Sequence, residues 1–165
     1  MGERNAVILL SGGMDSATVL AQATSDGFKC YCLSVFYGQV HPAELEAAKR
    51  VAARFHAADH QIAAVDLGIF GGSALTDATI PIPREGRRDG VPVTYVPARN
   101  TILLSLALAW AETLKADAIF IGVNAVDYAG YPDCRAEFIQ AYEQLANVGT
   151  CAKMEGRNVR IYAPL

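Results

Sequence analysis

Ser11-Gly12-Gly13-Met14-Asp15-Ser16 decides how this chain reads. It follows the apolar run Ala6-Val7-Ile8-Leu9-Leu10 and leads into Ala17-Thr18-Val19-Leu20-Ala21-Gln22-Ala23, a helix-forming stretch. A strand, a tight glycine turn and a helix start make an anion cradle, because the first amides of a helix have no intrahelical acceptor. The helix dipole favours negative charge at that end. Two adjacent glycines tolerate positive φ and let backbone approach a ligand closely. Ser11 and Ser16 add hydroxyl donors, and Asp15 puts a carboxylate where a magnesium ion bridging phosphates would sit. The loop lacks the Gly-Lys-Ser/Thr ending of a Walker loop and the G-x-G-x-x-G of a dinucleotide fold.

Working outward, apolar segments of strand length alternate with helical periods. Strands are expected at 5–10, 30–37, 61–67, 118–122 and 159–162, with helices at 15–25, 42–55, 97–114 and 135–147. The helix at 97–114 is apolar all round, so it is expected to be buried on every side. Strands separated by helices give a doubly wound, mainly parallel five-stranded α/β sheet with helices on both faces. Residues 68–95 break the alternation and are rich in glycine and proline. Arg84, Arg87 and Arg88 in that stretch fit a solvated basic turn better than a phosphate contact.

Composition sets the frame for function. At 165 residues with 52% hydrophobic and 19% charged residues, the chain fits one globular domain. A net charge of −3 argues against a nucleic-acid scaffold. No apolar run reaches membrane-spanning length. Cys30, Cys32, Cys134 and Cys151 lack metal-ligand spacing and read as packed thiols, and no signal peptide is evident, so the cytoplasm is the expected setting. No nucleic acid or membrane partner is expected, and a homodimer is allowed.

Ligands of open α/β sheets bind beyond the carboxyl ends of the strands. Besides the glycine loop, the segments expected there are Tyr37-Gly38-Gln39-Val40-His41, Tyr95 through Asn100, and Gly122 through Arg135. Arg99 and Asn100 open the most apolar helix, where a charge needs either an internal carboxylate or an anionic ligand. The last segment collects Asn124, Asp127, Tyr128, Tyr131 and Asp133, which suits either a planar heterocycle or an ordinary irregular loop capping the helix that starts near Arg135. His41 suits either a proton or phosphate contact or the start of the next helix. Val35 and Phe36 suit either an adenine wall or an ordinary buried strand.

The glycine hexapeptide resembles the S-G-G-x-D-S loop of the ATP pyrophosphatase (PP-loop) superfamily. Tyr37-Gly38-Gln39-x-His41, Val96-Pro97-Ala98-Arg99-Asn100 and the run from Gly122 to Arg135 narrow the resemblance to the 7-cyano-7-deazaguanine synthase (QueC) family over nearly the whole chain. The resemblance implies ATP-dependent conversion of 7-carboxy-7-deazaguanine and ammonia to the nitrile through an adenylated carboxylate. It implies ATP contacts along Leu10, Ser11, Gly12, Gly13, Met14, Asp15, Ser16, Ala17, Thr18, Val19 and Leu20. Asp15 and Arg99 are then the catalytic candidates, with Mg2+ at Asp15. Gln39, His41, Arg99, Asn100, Asp127, Tyr131 and Asp133 are the substrate candidates. The family usually carries arginine where this chain has Val40. Family members also continue into a helix and a four-cysteine zinc cluster whose ligands are not in this chain, which on that pattern is a single PP-loop domain over residues 1–165.

Overall fold

Ala6, Val7 and Ile8 have no exposed surface, because the strand that carries them has neighbours on both edges and helices on both faces. The computed structural model describes residues 4–38, 43–77, 79–81, 91–124 and 130–165. Strand β1 (Arg4–Leu9) pairs in parallel with β2 (Phe28–Phe36) on one side and β4 (Ala118–Phe120) on the other. Strands β3 (Asp59–Ala64) and β5 (Arg160–Tyr162) form the edges, also in parallel, giving the order β3-β2-β1-β4-β5.

Side chains alternate between the two faces with the period of a strand. Ala6, Ile8, Leu10 and Phe120 pack under α1 (Met14–Ser25) and α2 (Ala43–Arg54). Val7, Leu9, Ile119 and Ile161 pack under α3 (Arg99–Thr113) and α4 (Ala136–Val148). The chain runs from β1 outward to β3 and returns to β4, so its direction of winding reverses between β1 and β4. The expected doubly wound α/β sheet is therefore present, and wholly parallel.

Three expectations need correction. Strand β3 begins at Asp59 and ends at Ala64, earlier at both ends than expected; as an edge strand it carries polar residues that mask its start. Helix α3 is not buried all round: Leu104, Ala107, Leu108 and Ala111 face the sheet, whereas Ser105 and Ala109 are exposed and Leu106 and Trp110 half-buried. Its outer flank, through Leu106, Ala109, Trp110 and Thr113, borders a groove with Leu33, Gln61 and Ala63 of β2 and β3. Finally, Pro132–Cys134 forms a short 3-10 turn before α4, inside a segment expected to be irregular.

Among the described residues no helix is long and apolar enough to cross a membrane. Arg84, Arg87, Arg88 and Val40 lie outside the described residues.

Candidate active site

The loop from Ser11 to Ser16 closes a set of internal hydrogen bonds that accounts for each hydroxyl. Ser16 Oγ donates to the Gly13 carbonyl at 3.0 Å and accepts from the Ser11 amide at 3.2 Å. With its one proton given to Gly13, Ser16 Oγ receives that of Ser11 Oγ across 3.1 Å. Ser11 Oγ accepts from the Gly13 amide at 3.3 Å. The buried Ser16 hydroxyl therefore shapes the loop, and is not an outward donor as the sequence suggested. The amides of Met14, Asp15 and Ser16 precede the first helical bond, from Ala17 to the Gly13 carbonyl at 3.1 Å. The helix gives them no acceptor, which is the arrangement an anion cradle requires.

Two glycines let the loop sit where it does. Gly12 has φ +87°, and a Cβ there would lie 2.5 Å from the Glu44 carbonyl oxygen and 2.6 Å from the Ala48 nitrogen of α2. Gly122 follows β4, and a Cβ there would lie 3.0 Å from the Ser16 nitrogen and 3.2 Å from the Asp15 carbonyl carbon. The loop is thus pressed between α2 and the end of β4, at the point where the winding reverses.

A cavity of about 380 Å³ opens there, within the size range of small-molecule sites. Leu10, Ser11, Gly13, Met14, Asp15 and Ser16 line one wall, with Ser34, Val35 and Tyr37 from the end of β2 beside them. Arg99, Asn100 and Cys134 line the opposite side. Val35 thus fits the expected adenine wall, whereas Phe36 is not among the lining residues. Ala17 and Thr18 lie past the cradle, and Val19 and Leu20 are wholly buried in the core, so their side chains reach no ligand.

Arg99 has its guanidinium carbon 5.7 Å from the centre of the Tyr37 ring, a cation–π contact, and its Nε donates to Asn100 Oδ1 at 3.4 Å. Among the described residues no carboxylate lies in ion-pair range of it. A cation at the positive end of a helix is electrostatically disfavoured, which adds to its demand for an anion. Ala98, just before α3, holds the left-handed conformation at φ 54°, a strained geometry for a residue with a Cβ, and this aims the start of α3 at the cavity.

Asp133 and Tyr131 do not line the cavity. Asp133 is buried, and its Oδ2 accepts from the Asn100 amide at 3.0 Å while its carbonyl accepts from Asn100 Nδ2 at 3.0 Å. It caps α3 from behind the site. The Tyr131 hydroxyl pairs with Thr94 Oγ1 at 2.8 Å. Gln39, His41 and Asp127 lie outside the described residues. Ser34 lines the cavity and was not placed there by sequence reasoning. Tyr37, Gly122 and Cys134 lay in segments expected at the strand ends without being chosen as site residues, and of these Gly122 carried the clearest signal, as a glycine ending an apolar strand.

Asp15 is the carboxylate at the cradle, and Asn124 Nδ2 donates to its Oδ2 at 2.9 Å. Magnesium is commonly held by one or two carboxylates with the remaining ligands from phosphate and water, so Asp15 fits such an ion beside a bound triphosphate. No group of three metal-binding side chains occurs among the described residues, and the cysteines do not gather into a zinc site. Burial pushes the Cys32 thiol up to about 12, far from the thiolate that ligates metal.

Parallel winding with a glycine loop at its reversal defines the class: an α/β fold of the PP-loop type. Solved structures share the fold. A predicted subunit of tRNA methyltransferase from Methanocaldococcus jannaschii superposes with a TM-score of 0.59 at 16% identity, over 98% of this chain and 68% of that one. NMN synthetase from Francisella tularensis gives 0.51 at 14% identity, over 76% and 48%. The family model "Queuosine biosynthesis protein QueC" matches residues 5–165, and the chain belongs to that family. The 7-cyano-7-deazaguanine synthase of Aromatoleum aromaticum is 62% identical over 162 residues, 98% of this chain and 72% of that protein. The enzyme of the same name from Pseudomonas paraeruginosa is 60% identical over 165 residues, 100% of this chain and 73% of that protein.

Proposed function

We propose that this chain binds ATP across the Ser11–Ser16 loop and uses it to turn 7-carboxy-7-deazaguanine and ammonia into 7-cyano-7-deazaguanine. The observation that carries the reading is that the Ser11–Ser16 loop and Arg99, which has no ion pair among the described residues, line one cavity, in a chain about three-fifths identical to enzymes of that name.

A carboxylate is a poor electrophile until one oxygen becomes a leaving group. Its oxygen attacks the α-phosphorus of ATP, the bond to the β-phosphate breaks, and pyrophosphate leaves. Ammonia then adds to the acyl carbon, AMP departs and a proton is lost, giving the amide. The amide oxygen then attacks the α-phosphorus of a second ATP, pyrophosphate leaves, and departure of AMP with the amide oxygen and loss of two protons from nitrogen give the nitrile. The Met14, Asp15 and Ser16 amides hold the departing pyrophosphate. Arg99 holds the substrate carboxylate or the charge that develops at phosphorus. Asp15 would hold a magnesium ion, which would supply positive charge to offset that of the phosphates. No protein nucleophile is required, since activation and positioning suffice. We place this chemistry in the cytoplasm, where four free thiols stay reduced.

The test is incubation of the chain with carboxydeazaguanine, ammonium and Mg-ATP, following AMP and nitrile together. Nitrile with AMP supports the reading. Steady AMP without nitrile points to a different PP-loop ligase, and ATP binding without AMP to a nucleotide binder without turnover.

A further inference from the structure

We propose that His60, acting through Ser34, is a positioning residue for the phosphate loop. The inference rests on the reading of Ser11–Ser16 as that loop. His60 lies on the edge strand β3 and takes no part in the chemistry above.

The argument is one of donors and acceptors. Ser34 is 1% exposed, and its Oγ lies 2.6 Å from the carbonyl oxygen of Leu10, the residue just before the loop. A carbonyl can only accept, so the single hydroxyl proton of Ser34 points at Leu10. His60 Nε2 lies 2.8 Å from the same Oγ. With its proton already given away, Ser34 Oγ can only accept from the ring, so His60 carries hydrogen on Nε2. A directed chain results, from imidazole N–H to hydroxyl to carbonyl. Hydrogen bonds linked this way polarise and strengthen one another.

The peptide that this chain grips is the one that aims the loop. The Leu10 carbonyl is held by Ser34, and the amide on the other side of that same peptide, Ser11 N–H, is held by Ser16 Oγ at 3.2 Å. With both edges bound, rotation of the peptide plane breaks one bond or the other, which fixes the direction in which the loop departs. Register explains the reach. Cys32 pairs with His60 and Ser34 with Ile62, so both side chains stand on the face covered by α2, two residues offset along adjacent strands. Lys49 of α2 and Asp59 are the charged neighbours of the ring.

The experiment uses the full chain and its variants Ser34→Ala, His60→Ala, His60→Gln and the Ser34→Ala/His60→Ala double. Glutamine keeps an N–H donor near the Nε2 position. Calorimetric titration with Mg-ATP is expected to show each alanine variant weakened about five- to tenfold. The double should be no weaker than the weaker single, and His60→Gln should stay close to the parent. Nitrogen-15 spectra of the imidazole should show the Nε2-protonated neutral form, and Ser34→Ala should move the Ser11 amide resonance. Additive losses in the double variant, a proton on Nδ1, or an unmoved Ser11 amide would each overturn the proposal. If the parent chain binds no ATP, the functional reading fails, while the imidazole and amide spectra still decide the relay. If His60→Ala does not fold, His60→Gln and the parent spectra decide it.

Discussion

Asn124 Nδ2 donates to Asp15 Oδ2 at 2.9 Å, joining two residues 109 positions apart in the chain. One stands beyond β4 and the other in the first turn of α1, so the bond spans the reversal of the sheet. It orients the carboxylate of a residue that lines the cavity and leaves Oδ1 outside this bond. Groups that orient a metal-binding carboxylate commonly change activity about 10- to 100-fold when removed. Asp15→Ala is expected to cut AMP formation by about a hundredfold or more with the thermal midpoint nearly unchanged. Asn124→Ala should cost about tenfold. Asn124→Asp should be worse than alanine at neutral pH, because adjacent carboxylates repel and one holds a proton. Steady-state AMP release against magnesium concentration checks all three; equal activity of parent and Asp15→Ala would remove Asp15 from its role.

The two glycines that press on the loop should fail differently. At Gly12 an alanine meets helix backbone at 2.5 Å and must also hold a positive φ. Backbone cannot yield cheaply, so Gly12→Ala should cost about 3 kcal/mol or more, lowering the thermal midpoint by about 10 °C. At Gly122 the closest approach is 3.0 Å, to the Ser16 nitrogen. A few tenths of an ångström of movement relieves it, but the atoms that move are the cradle. Gly122→Ala should therefore lose ATP affinity while keeping most of its stability. A calorimetric ATP titration beside a thermal melt separates the two outcomes.

Asp133 offers a test between a cap and a substrate contact. Its carboxylate oxygen accepts from the Asn100 amide at the start of α3. Loss of such a cap costs about 1 kcal/mol, and up to about 2 when buried. Asp133→Ala should show that loss in a denaturant melt. Asp133→Asn keeps an acceptor oxygen and should recover most of the stability, with KM for the deazaguanine unchanged. A raised KM at parental stability would return Asp133 to the substrate.

These cases show which features could be read in advance. The loop was legible because strand, glycines, serines and acid are contiguous, and because only glycine meets the demand at Gly12. Arg99 was legible as a charge opening an apolar helix. Asp133 was not, since its partner Asn100 lies 33 residues away and a loop aspartate looks alike in either role. Ser34 fell inside an expected strand and His60 one residue before another, and nothing in the sequence set either apart, because their significance lies in a pairing between neighbouring strands. The outer flank of α3 was misread because apolar composition reports what a face is made of, not whether the fold covers it.

His60 also carries a pH dependence whose sign is fixed. Burial disfavours the imidazolium and holds the folded group below its ordinary value of 6.5, with Asp59 opposing and Lys49 reinforcing the shift. The unfolded chain then binds the proton at higher pH than the folded one. Stability rises with pH wherever the unfolded state holds more protons. The contribution of His60 is therefore complete above 6.5 and is lost as pH falls from there toward the lower folded value. Urea midpoints for the parent and His60→Gln between about pH 5 and about pH 7.5 test this. The parent should lose stability on acidification more steeply than the variant, with the two curves flattest relative to each other at the alkaline end. Parallel curves throughout would mean that the ring is as free to take a proton in the fold as in water.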